Sequence, residues 1–455
     1  MSRSDDSGTR AGENGAGGSA GRAVVVHPFL RADVARAEAG QGPVPALASR
    51  QPDARLDEAV GLAAAISLEV VERALVPLDR VRPATFIGTG KVDELKALAE
   101  AERIDVFVMD CALSPVQQRN LERALKTKVI DRTGLILEIF GERAATREGR
   151  LQVDLAHLTY QRSRLVRSWT HLERQRGGVG FLGGPGETQI EADRRIIGEK
   201  IVRLKRELEQ VTRTRALHRQ NRAKVPHPIV ALVGYTNAGK SSLFNRLTRS
   251  GVLAADMLFA TLDPTMRGLT LPSGRRIILS DTVGFVSDLP THLAAAFRAT
   301  LEEVLEADVI VHVRDSAHPE TEAQKVDVVA VLRDLGIDVE DAEERPIVEV
   351  MNKIDLLDEE EARALANRAA REPDLVPMSA LTGEGVDTLL ARLDALLGKA
   401  RSLVELEIDL ADGATLAWLY RHGTVVERHD DGNVAHLKVG LDPADLGRFE
   451  KLSRH

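Results

Sequence analysis

The alternation of apolar and polar positions divides the chain into segments of different character. Between residues 23 and 142, short apolar runs alternate with helical stretches, which predicts a small α/β domain. The apolar runs predict strands at 23–26, 84–87, 106–109 and 129–130, and the stretches between them predict helices at 91–101 and 115–125. Residues 1–22 lack this pattern and are rich in Gly, Ser and Asp, so we expect a disordered tail and no secretory signal.

Apolar residues at heptad spacing predict a helical hairpin at 143–226. One seam consists of Leu151, Leu155, Leu158, Leu165, Trp169 and Leu172, and the other of Ile190, Ile197, Ile201, Leu204, Leu208 and Val211. An antiparallel pair is the simplest way for two seams in one chain to bury each other. The predicted tip, 173–188, contains six glycines in sixteen residues. Because a turn between helices needs only a few residues, we interpret this tip as a surface probe, with an ordinary flexible turn as the alternative.

The remaining pattern predicts two further domains. Continuous apolar runs at 229–233, 277–279, 346–351 and 375–378 are typical of buried strands, so residues 227–398 are predicted to form an α/β domain with a mostly parallel sheet. Residues 399–455 are predicted to form a small α+β domain, with strands at 404–410, 423–427 and 434–439 and helices at 414–421 and 442–452. The fold class is therefore multidomain α/β.

Charge changes this picture at the hairpin. The chain of 455 residues carries a net charge of −8, yet residues 141–225 contain 19 Lys and Arg against 10 Asp and Glu. A basic segment in an acidic protein favours a polyanion contact, with a solvated helix face as the alternative. We expect the polyanion to be RNA and not DNA, because arginines, backbone amides and one aromatic ring suit phosphates and unstacked bases. The candidate RNA-binding residues are Arg174, Arg176, Gly177, Gly178, Phe181, Leu182, Gly183 and Gly184.

Composition excludes several other classes of protein. A single cysteine, Cys111, rules out an intramolecular disulfide framework and a cysteine-based zinc site, and a thiol-poor chain fits a reducing compartment. No run of about 18 apolar residues occurs, so we expect no membrane span.

The clearest candidate chemistry is a glycine-rich loop between the buried strand at 229–233 and a helix predicted to begin near Lys240. A GxxxxGKS spacing in that context forms a phosphate-binding loop, in which backbone amides and a helix N-terminus surround phosphate oxygens. We assign Lys240 to the β- and γ-phosphates as a catalytic residue, and Ser241 to Mg²⁺. The loop comprises Gly234, Tyr235, Thr236, Asn237, Ala238, Gly239, Lys240, Ser241 and Ser242.

Three shorter motifs follow the next predicted strands. The first consists of Asp281, Thr282, Val283 and Gly284, the second of Asn352, Lys353 and Asp355, and the third of Ser379, Ala380 and Leu381. The amide of Gly284 is expected to sense the γ-phosphate, so Gly284 is the second catalytic candidate. The carboxylate of Asp355 can accept two hydrogen bonds from guanine, which favours GTP over ATP. The backbone after Ser379 can contact the guanine oxygen.

A threonine that completes the magnesium shell is expected between residues 243 and 280. The candidate segment consists of Phe259, Ala260, Thr261, Leu262 and Asp263. We assign Thr261 as the metal ligand, with Thr265 as the alternative.

The order of these loops resembles that of Ras-like P-loop GTPases, and three segments are similar to the HflX family in particular: 177–189 at the tip, 259–263 and 281–285. Residues 86–91 also resemble that family, and the likeness covers about 84–397. The resemblance implies a cytoplasmic GTPase that binds GTP and GDP. It also implies that the protein binds the large ribosomal subunit and its rRNA with the arm tip near the peptidyl-transferase region, and splits stalled or idle ribosomes, often under stress.

Two positions bear on hydrolysis. Ras-type enzymes orient the attacking water with a glutamine immediately after the DxxG glycine, but this chain has Phe285 there. We therefore expect slow intrinsic hydrolysis and stimulation by the ribosome. Asn237 resembles the asparagine of potassium-stimulated GTPases, which makes K⁺ a candidate second cation; the alternative is an asparagine that stabilises the loop.

Two other functions stay open. The protein could be a GTP-gated RNA-binding regulatory module without splitting activity. Alternatively, Lys91, in the short Gly-Thr-Gly-Lys segment at 88–91, could support separate ATP chemistry in the N-terminal domain.

Overall fold

A computed structural model describes residues 21–38, 51–175, 185–222, 227–250, 258–259, 261–287, 298–337, 345–399, 402–441, 446 and 449. The predicted tail at 1–22 lies outside these residues except for its last two. Within the described residues, no helix is long and apolar enough to cross a membrane.

The first sheet confirms the predicted N-terminal α/β arrangement. Its strands are β1 (Arg22–Leu30), β2 (Glu69–Leu78), β3 (Val106–Met109) and β4 (Lys128–Asp131), and its helices are α1 (Arg31–Glu38), α2 (Pro52–Ala65), α3 (Thr89–Glu102), α4 (Pro115–Leu125) and α5 (Arg132–Arg143). The strands are parallel in the order β2-β1-β3-β4. Local chemistry sets the helix starts: Ser114 and Gln117 form a capping box at α4, and Asp131 caps α5.

One strand prediction in this region is wrong. Residues 84–87 form no strand and contribute only an isolated bridge between Arg82 and Phe86. The fourth strand is β2, which the hydrophobic pattern missed because β2 lies at the sheet edge and carries exposed polar residues. The Gly-Thr-Gly-Lys segment begins α3, where Lys91 forms an ion pair with Glu94 at 2.5 Å.

Two long helices, α6 (Arg147–Gln175) and α7 (Pro185–Arg222), form the arm and pack against each other. At 1.5 Å per residue, α6 is about 44 Å long. The nine residues between the helices are too few to return along that length, so the helices run antiparallel, as predicted. Ile201 of the second seam is buried.

Within the described residues the second sheet has six strands, five of them parallel, which confirms the predicted mostly parallel sheet; the strands at 265–270 and 309–315 were not predicted. The strands are β5 (Ile229–Gly234), β6 (Thr265–Thr270), β7 (Arg276–Asp281), β8 (Val309–Asp315), β9 (Ile347–Asn352) and β10 (Leu375–Pro377), with helices α8 (Lys240–Thr248), α9 (Arg298–Leu305), α10 (Thr321–Asp334), α11 (Glu359–Ala369) and α12 (Val386–Lys399). Their order is β10-β9-β8-β5-β7-β6, and only β6 is antiparallel to its neighbour. The motifs at 234–242, 281–284, 352–355 and 379–381 follow the carboxyl ends of parallel strands, which meet at one edge of the sheet, whereas the segment 259–263 precedes β6.

The third sheet is antiparallel and forms the predicted α+β module. It consists of β11 (Ser402–Asp409), β12 (Thr424–Asp431) and β13 (Val434–Leu441) in the order β11-β13-β12, with α13 (Gly413–His422) against it. Leu419 of this helix packs with Leu437 and Val439 of the central strand. The final helix predicted at 442–452 lies outside the described residues except for Leu446 and Phe449.

Candidate functional site

The loop that follows β5 requires glycine at two positions, Gly234 and Gly239. Gly234 has φ +149°, and a Cβ there would lie 2.1 Å from the carbonyl oxygen of Val313. Gly239 has φ +94°, and a Cβ there would lie 2.2 Å from Nδ2 of Asn352. Any larger residue would therefore clash and adopt an unfavourable backbone conformation. The predicted phosphate-loop shape follows from these two positions.

Lys240 begins α8, and its side chain is buried. Its Nζ donates a hydrogen bond to the carbonyl oxygen of Tyr235 at 2.7 Å. Burial lowers the pKa of Lys240 to about 8, although the negative charge of Asp281 acts in the opposite direction. The ammonium group is thus held in a site that disfavours its charge unless an anion joins it.

Three oxygen-bearing side chains meet beside Lys240. Oδ2 of Asp281 accepts hydrogen bonds from Oγ of Ser241 at 2.8 Å and from Oγ1 of Thr261 at 2.9 Å, and the two hydroxyl oxygens lie 2.8 Å apart. Oδ1 of Asp281 is buried without a hydrogen-bond partner, and burial raises the pKa of this carboxyl group despite nearby Lys240. Oxygen donors with one unsatisfied carboxylate oxygen fit Mg²⁺, which binds few protein ligands and keeps phosphate and water oxygens.

The alternative metal ligand does not join this cluster. Thr265 opens β6 and pairs with Asp281 only through the strand register. No group of three or more His, Cys, Asp or Glu side chains suited to a metal occurs among the residues that the structure describes. The Mg²⁺ candidate instead combines the hydroxyl groups of Ser241 and Thr261 with the carboxylate of Asp281 that both contact, and the assignment of the two hydroxyl groups as ligands stays a prediction.

The DxxG segment is joined to the phosphate loop through its backbone. The amide of Thr236 donates to the carbonyl oxygen of Phe285 at 2.7 Å, and the amide of Phe285 donates to that of Gly234 at 3.1 Å. A Cβ on Gly284 would lie 2.8 Å from Cγ2 of Thr236 and 3.0 Å from Nζ of Lys240, so glycine permits this close approach. The ring of Phe285 is buried in the core and positions no water.

Thr282 and Val283 are also buried. The hydroxyl group of Thr282 donates to the carbonyl oxygen of Leu232 at 2.6 Å. This hydrogen bond holds the segment against β5 and is a structural contact.

Asn352 connects the phosphate loop with the last motif. Its Nδ2 donates to the carbonyl oxygen of Ala238, and its Oδ1 accepts from the amide of Ala380, both at 2.8 Å. Because Asn352 is buried, each of these hydrogen bonds replaces contact with water. The Asn352 side chain therefore holds the phosphate loop and the loop at Ala380 together.

Asp355 lines a cavity of about 730 Å³ and contacts the buried side chain of Ser379. Oδ1 of Asp355 accepts a hydrogen bond from Oγ of Ser379 at 2.5 Å, and the same Oγ accepts from the amide of Thr382 at 3.0 Å. Nζ of Lys353 lies 2.7 Å from Asp315. The cavity is lined by Asn237, Gly239, Ser242, Asn245, Arg246, Asn352, Lys353, Asp355, Leu356, Ala380 and Leu381.

The other predicted residues have different environments. Asn237 is exposed with φ +60°, a conformation that asparagine tolerates, and Leu381 is 76% exposed. Phe259 and Leu262 are buried, and the carboxylate of Asp263 contacts the start of α6 and not the cavity. Ala260 lies outside the described residues. Of the RNA-binding candidates, Arg174 is in the last turn of α6, while Arg176, Gly177, Gly178, Phe181, Leu182, Gly183 and Gly184 lie outside the described residues.

Sequence reasoning missed a polar contact between helices α2 and α5 of the N-terminal domain and the segments that follow β5 and β7. Oη of Tyr235 donates to Glu58 at 2.6 Å and accepts from the amide of Ser287 at 2.7 Å. The guanidinium of Arg132 donates to the Ser287 hydroxyl at 2.9 Å and forms ion pairs with Asp110 and Glu58. Burial alone would raise the pKa of Asp110, but Arg132 and the other cations around it hold that pKa well below its usual value.

Arg246 was also missed. Its Nε donates to the carbonyl oxygen of Ala380 at 2.5 Å, and its terminal nitrogen donates to that of Leu381. No sequence signal marks this arginine, because its partners are more than 130 residues away.

Four family models match successive parts of the chain. By description they are a GTP-binding GTPase N-terminal domain at residues 53–141, a GTP-binding GTPase middle region at 143–222, a 50S ribosome-binding GTPase at 229–353 and an HflX C-terminal domain at 364–451. The last match begins within the part that we assigned to the second sheet, so our boundary at 398/399 stays a prediction.

Similar proteins cover most of the chain. The GTPase HflX of Magnetococcus marinus is 53% identical over 395 residues, which is 87% of this chain and 90% of that protein. The GTPase HflX of Escherichia coli is 44% identical over 371 residues, 81% of this chain and 85% of that protein. Among solved structures, a GTP-binding protein from Sulfolobus solfataricus in complex with GDP has a TM-score of 0.43 at 23% identity, with 83% of this chain and 98% of that chain covered.

Proposed function

Because this chain belongs to the HflX family of GTPases, we propose that it binds the large ribosomal subunit in its GTP state and splits or rescues stalled or idle ribosomes. The observation that carries the proposal is the match of residues 229–353 to a 50S ribosome-binding GTPase. The basic hairpin supports the same partner, since rRNA is a polyanion. The family and the GTPase class predicted from the sequence are confirmed; ribosome binding, splitting and a role under stress are the proposal.

We assign nucleotide binding to the four loops at the edge of the second sheet. Lys240 neutralises the phosphates, and anion binding restores the charged form that burial disfavours. Asp355 and the backbone after Ser379 recognise guanine in the cavity that Asp355, Ala380 and Leu381 line. Ser241 and Thr261 would hold Mg²⁺, with Asp281 accepting hydrogen bonds from both hydroxyl groups, and the bound ion would supply positive charge to the phosphate oxygens.

Hydrolysis in this proposal depends on the partner. The amide of Gly284 contacts the γ-phosphate, but the buried ring of Phe285 orients no water. We therefore assign the completion of the catalytic arrangement to the bound large subunit. K⁺ at Asn237 is a second contributor in the proposal, because this asparagine belongs to the phosphate loop and lines the cavity.

The proposal implies a cytoplasmic location, since it names a ribosomal partner. The test is a sucrose-gradient profile of intact ribosomes incubated with this protein and a non-hydrolysable GTP analogue. We expect the subunit peaks to grow at the expense of the intact ribosome, and no such change with GDP. The matched control is Lys240→Ala, which should abolish the effect.

Two results would contradict this function. If intact ribosomes persist while the protein co-sediments with them in both nucleotide states, the protein is an RNA-binding regulatory module. If ATPase activity survives Lys240→Ala but is lost in Lys91→Ala, the N-terminal domain has its own chemistry.

A further inference from the structure

Asp263 forms a polar contact between the segment that carries Thr261 and the first turn of the arm. Its Oδ2 accepts hydrogen bonds from the amides of Ala145 and Thr146, both at 2.8 Å, and its Oδ1 accepts from the hydroxyl group of Thr146. The Thr146 hydroxyl in turn accepts from the amide of Gly149 at 3.0 Å. Since α6 begins at Arg147, Thr146 is its N-cap, and the carboxylate holds that cap in place.

The position of Gly149 indicates that this contact is closely fitted. A Cβ at residue 149 would lie 2.5 Å from Oδ1 of Asp263 and 3.2 Å from Oγ1 of Thr146. Gly149 lies in the helix, where glycine is otherwise unfavourable, and its backbone has no positive φ. The missing side chain therefore makes room for the carboxylate. A carboxylate here is also favoured by the positive end of the helix dipole.

The same segment contacts both the nucleotide site and the N-terminal domain. Two residues before Asp263, Thr261 lies within hydrogen-bond distance of Ser241 and Asp281. The ring of Phe259 packs edge-on against Phe140 of α5, with centroids 5.0 Å apart and planes at 90°. A movement of Thr261 away from Ser241 and Asp281 would therefore also displace Phe259, which contacts the N-terminal domain, and Asp263, which contacts the arm.

We propose that Asp263 is the positioning residue through which the nucleotide state sets the orientation of the arm. In the GTP state, Thr261 is held beside Ser241 and Asp281, and Asp263 holds the N-cap of α6. In the GDP state, the segment that carries Thr261 and Asp263 moves away from Ser241 and Asp281, and the contact of Asp263 with α6 is lost. This inference rests on the proposed function only for its consequence at the ribosome, because the contact itself is internal to the chain.

Hydrogen–deuterium exchange of the full-length protein tests the contact without a ribosome. The readout is the exchange of a peptide that contains the amides of Ala145 and Thr146. With a GTP analogue and Mg²⁺, we expect this exchange to be about tenfold slower than with GDP, which corresponds to a modest stabilisation of the closed contact. Asp263→Ala should exchange rapidly in both states.

Gly149→Ala provides a second variant that leaves Asp263 and the nucleotide loops unchanged. Alanine favours the helix itself, yet its Cβ displaces the carboxylate. We expect the nucleotide-dependent protection to disappear while affinity for GDP stays as in the wild type. The matched control is Gly198→Ala in α7, where a Cβ has no atom within 4 Å, and which should behave as wild type.

The effect of the Asp263 contact on function is measured by binding to the large ribosomal subunit. For the wild type we expect the large subunit to bind the GTP-analogue form more tightly than the GDP form, and Gly149→Ala should reduce the ratio of the two affinities about tenfold. Protection that persists in Asp263→Ala, or that is equal in both nucleotide states of the wild type, would overturn the role of Asp263. Normal protection changes in a wild type that never binds large subunits would instead refute the proposed function and leave the role of Asp263 standing.

Discussion

Nucleotide binding should take up a proton, and the amount should follow the pKa of Lys240. In the nucleotide-free protein, burial lowers this pKa to about 8, so raising the pH through 8 removes the proton from the free site. Bound phosphates favour the charged form, so the complex keeps the proton over the same range. The affinity for nucleotide must therefore fall as the pH rises, because at higher pH the free Lys240 has to gain a proton before the complex can form.

The magnitude follows from that single pKa. At pH 7, 8 and 8.5 the free site lacks about 0.1, 0.5 and 0.75 of a proton, and binding should take up those amounts. The same relation makes the affinity for GDP roughly fourfold weaker at pH 8.5 than at pH 7. This range stays below the pH at which guanine loses its own N1 proton.

Isothermal titration calorimetry in buffers of different ionisation enthalpy measures both quantities. The control is Lys353→Met, which removes a lysine that lines the cavity but pairs with Asp315, and which should keep the same pH dependence. Lys240→Arg keeps its charge throughout this range and should show no proton uptake. A wild-type uptake that stays near zero at pH 8 would show that burial does not shift Lys240 and that the site is open to water.

Three other expectations concern single residues. Asn352→Ala should lower the free energy of unfolding of the second sheet by about 3 kcal/mol, because it leaves two buried backbone groups without partners. Native-state hydrogen exchange of β9 measures this, and Asn120→Ala, which removes one exposed hydrogen bond, should cost much less. Since Phe285 cannot orient water, single-turnover GTP hydrolysis should be slow alone and faster with large subunits; equal rates would contradict this. GTP turnover should be faster in KCl than in NaCl, and Asn237→Ala should remove the difference; a difference that survives the substitution would exclude Asn237 as a K⁺ ligand.

Motifs whose geometry is local could be predicted from the sequence. Gly234 and Gly239 need positive φ and close approach, so the phosphate loop is recognisable from its spacing alone. Five strands of the second sheet are parallel, so the loops at their carboxyl ends lie at the same edge of the sheet. The order of the motifs along the chain therefore also predicted that these loops lie close together. The choice of Thr261 over Thr265 as metal ligand was made from the sequence and stays a prediction; the structure places the Thr261 hydroxyl group 2.8 Å from that of Ser241.

Strand predictions failed where the position of a segment in the sheet, and not its apolar pattern, determines whether it forms a strand. Strand β2 was missed because an edge strand keeps one side in contact with water and tolerates charged residues. The segment at 84–87 looks like a strand because it is apolar, but its backbone turns back on itself between Arg82 and Phe86. An apolar segment indicates that its side chains are buried, but not that its backbone is hydrogen-bonded to a neighbouring strand.

The sequence by itself determined the loops, the helices of the arm and the family, because each depends on residues close together in the chain. Only the tertiary structure decided how these parts communicate. Tyr235 meets Glu58 across 177 residues, and Asp263 meets Thr146 across 117. Such contacts join single polar side chains with no periodicity or spacing rule, so they exist only once the sheets and helices have packed and excluded water around them.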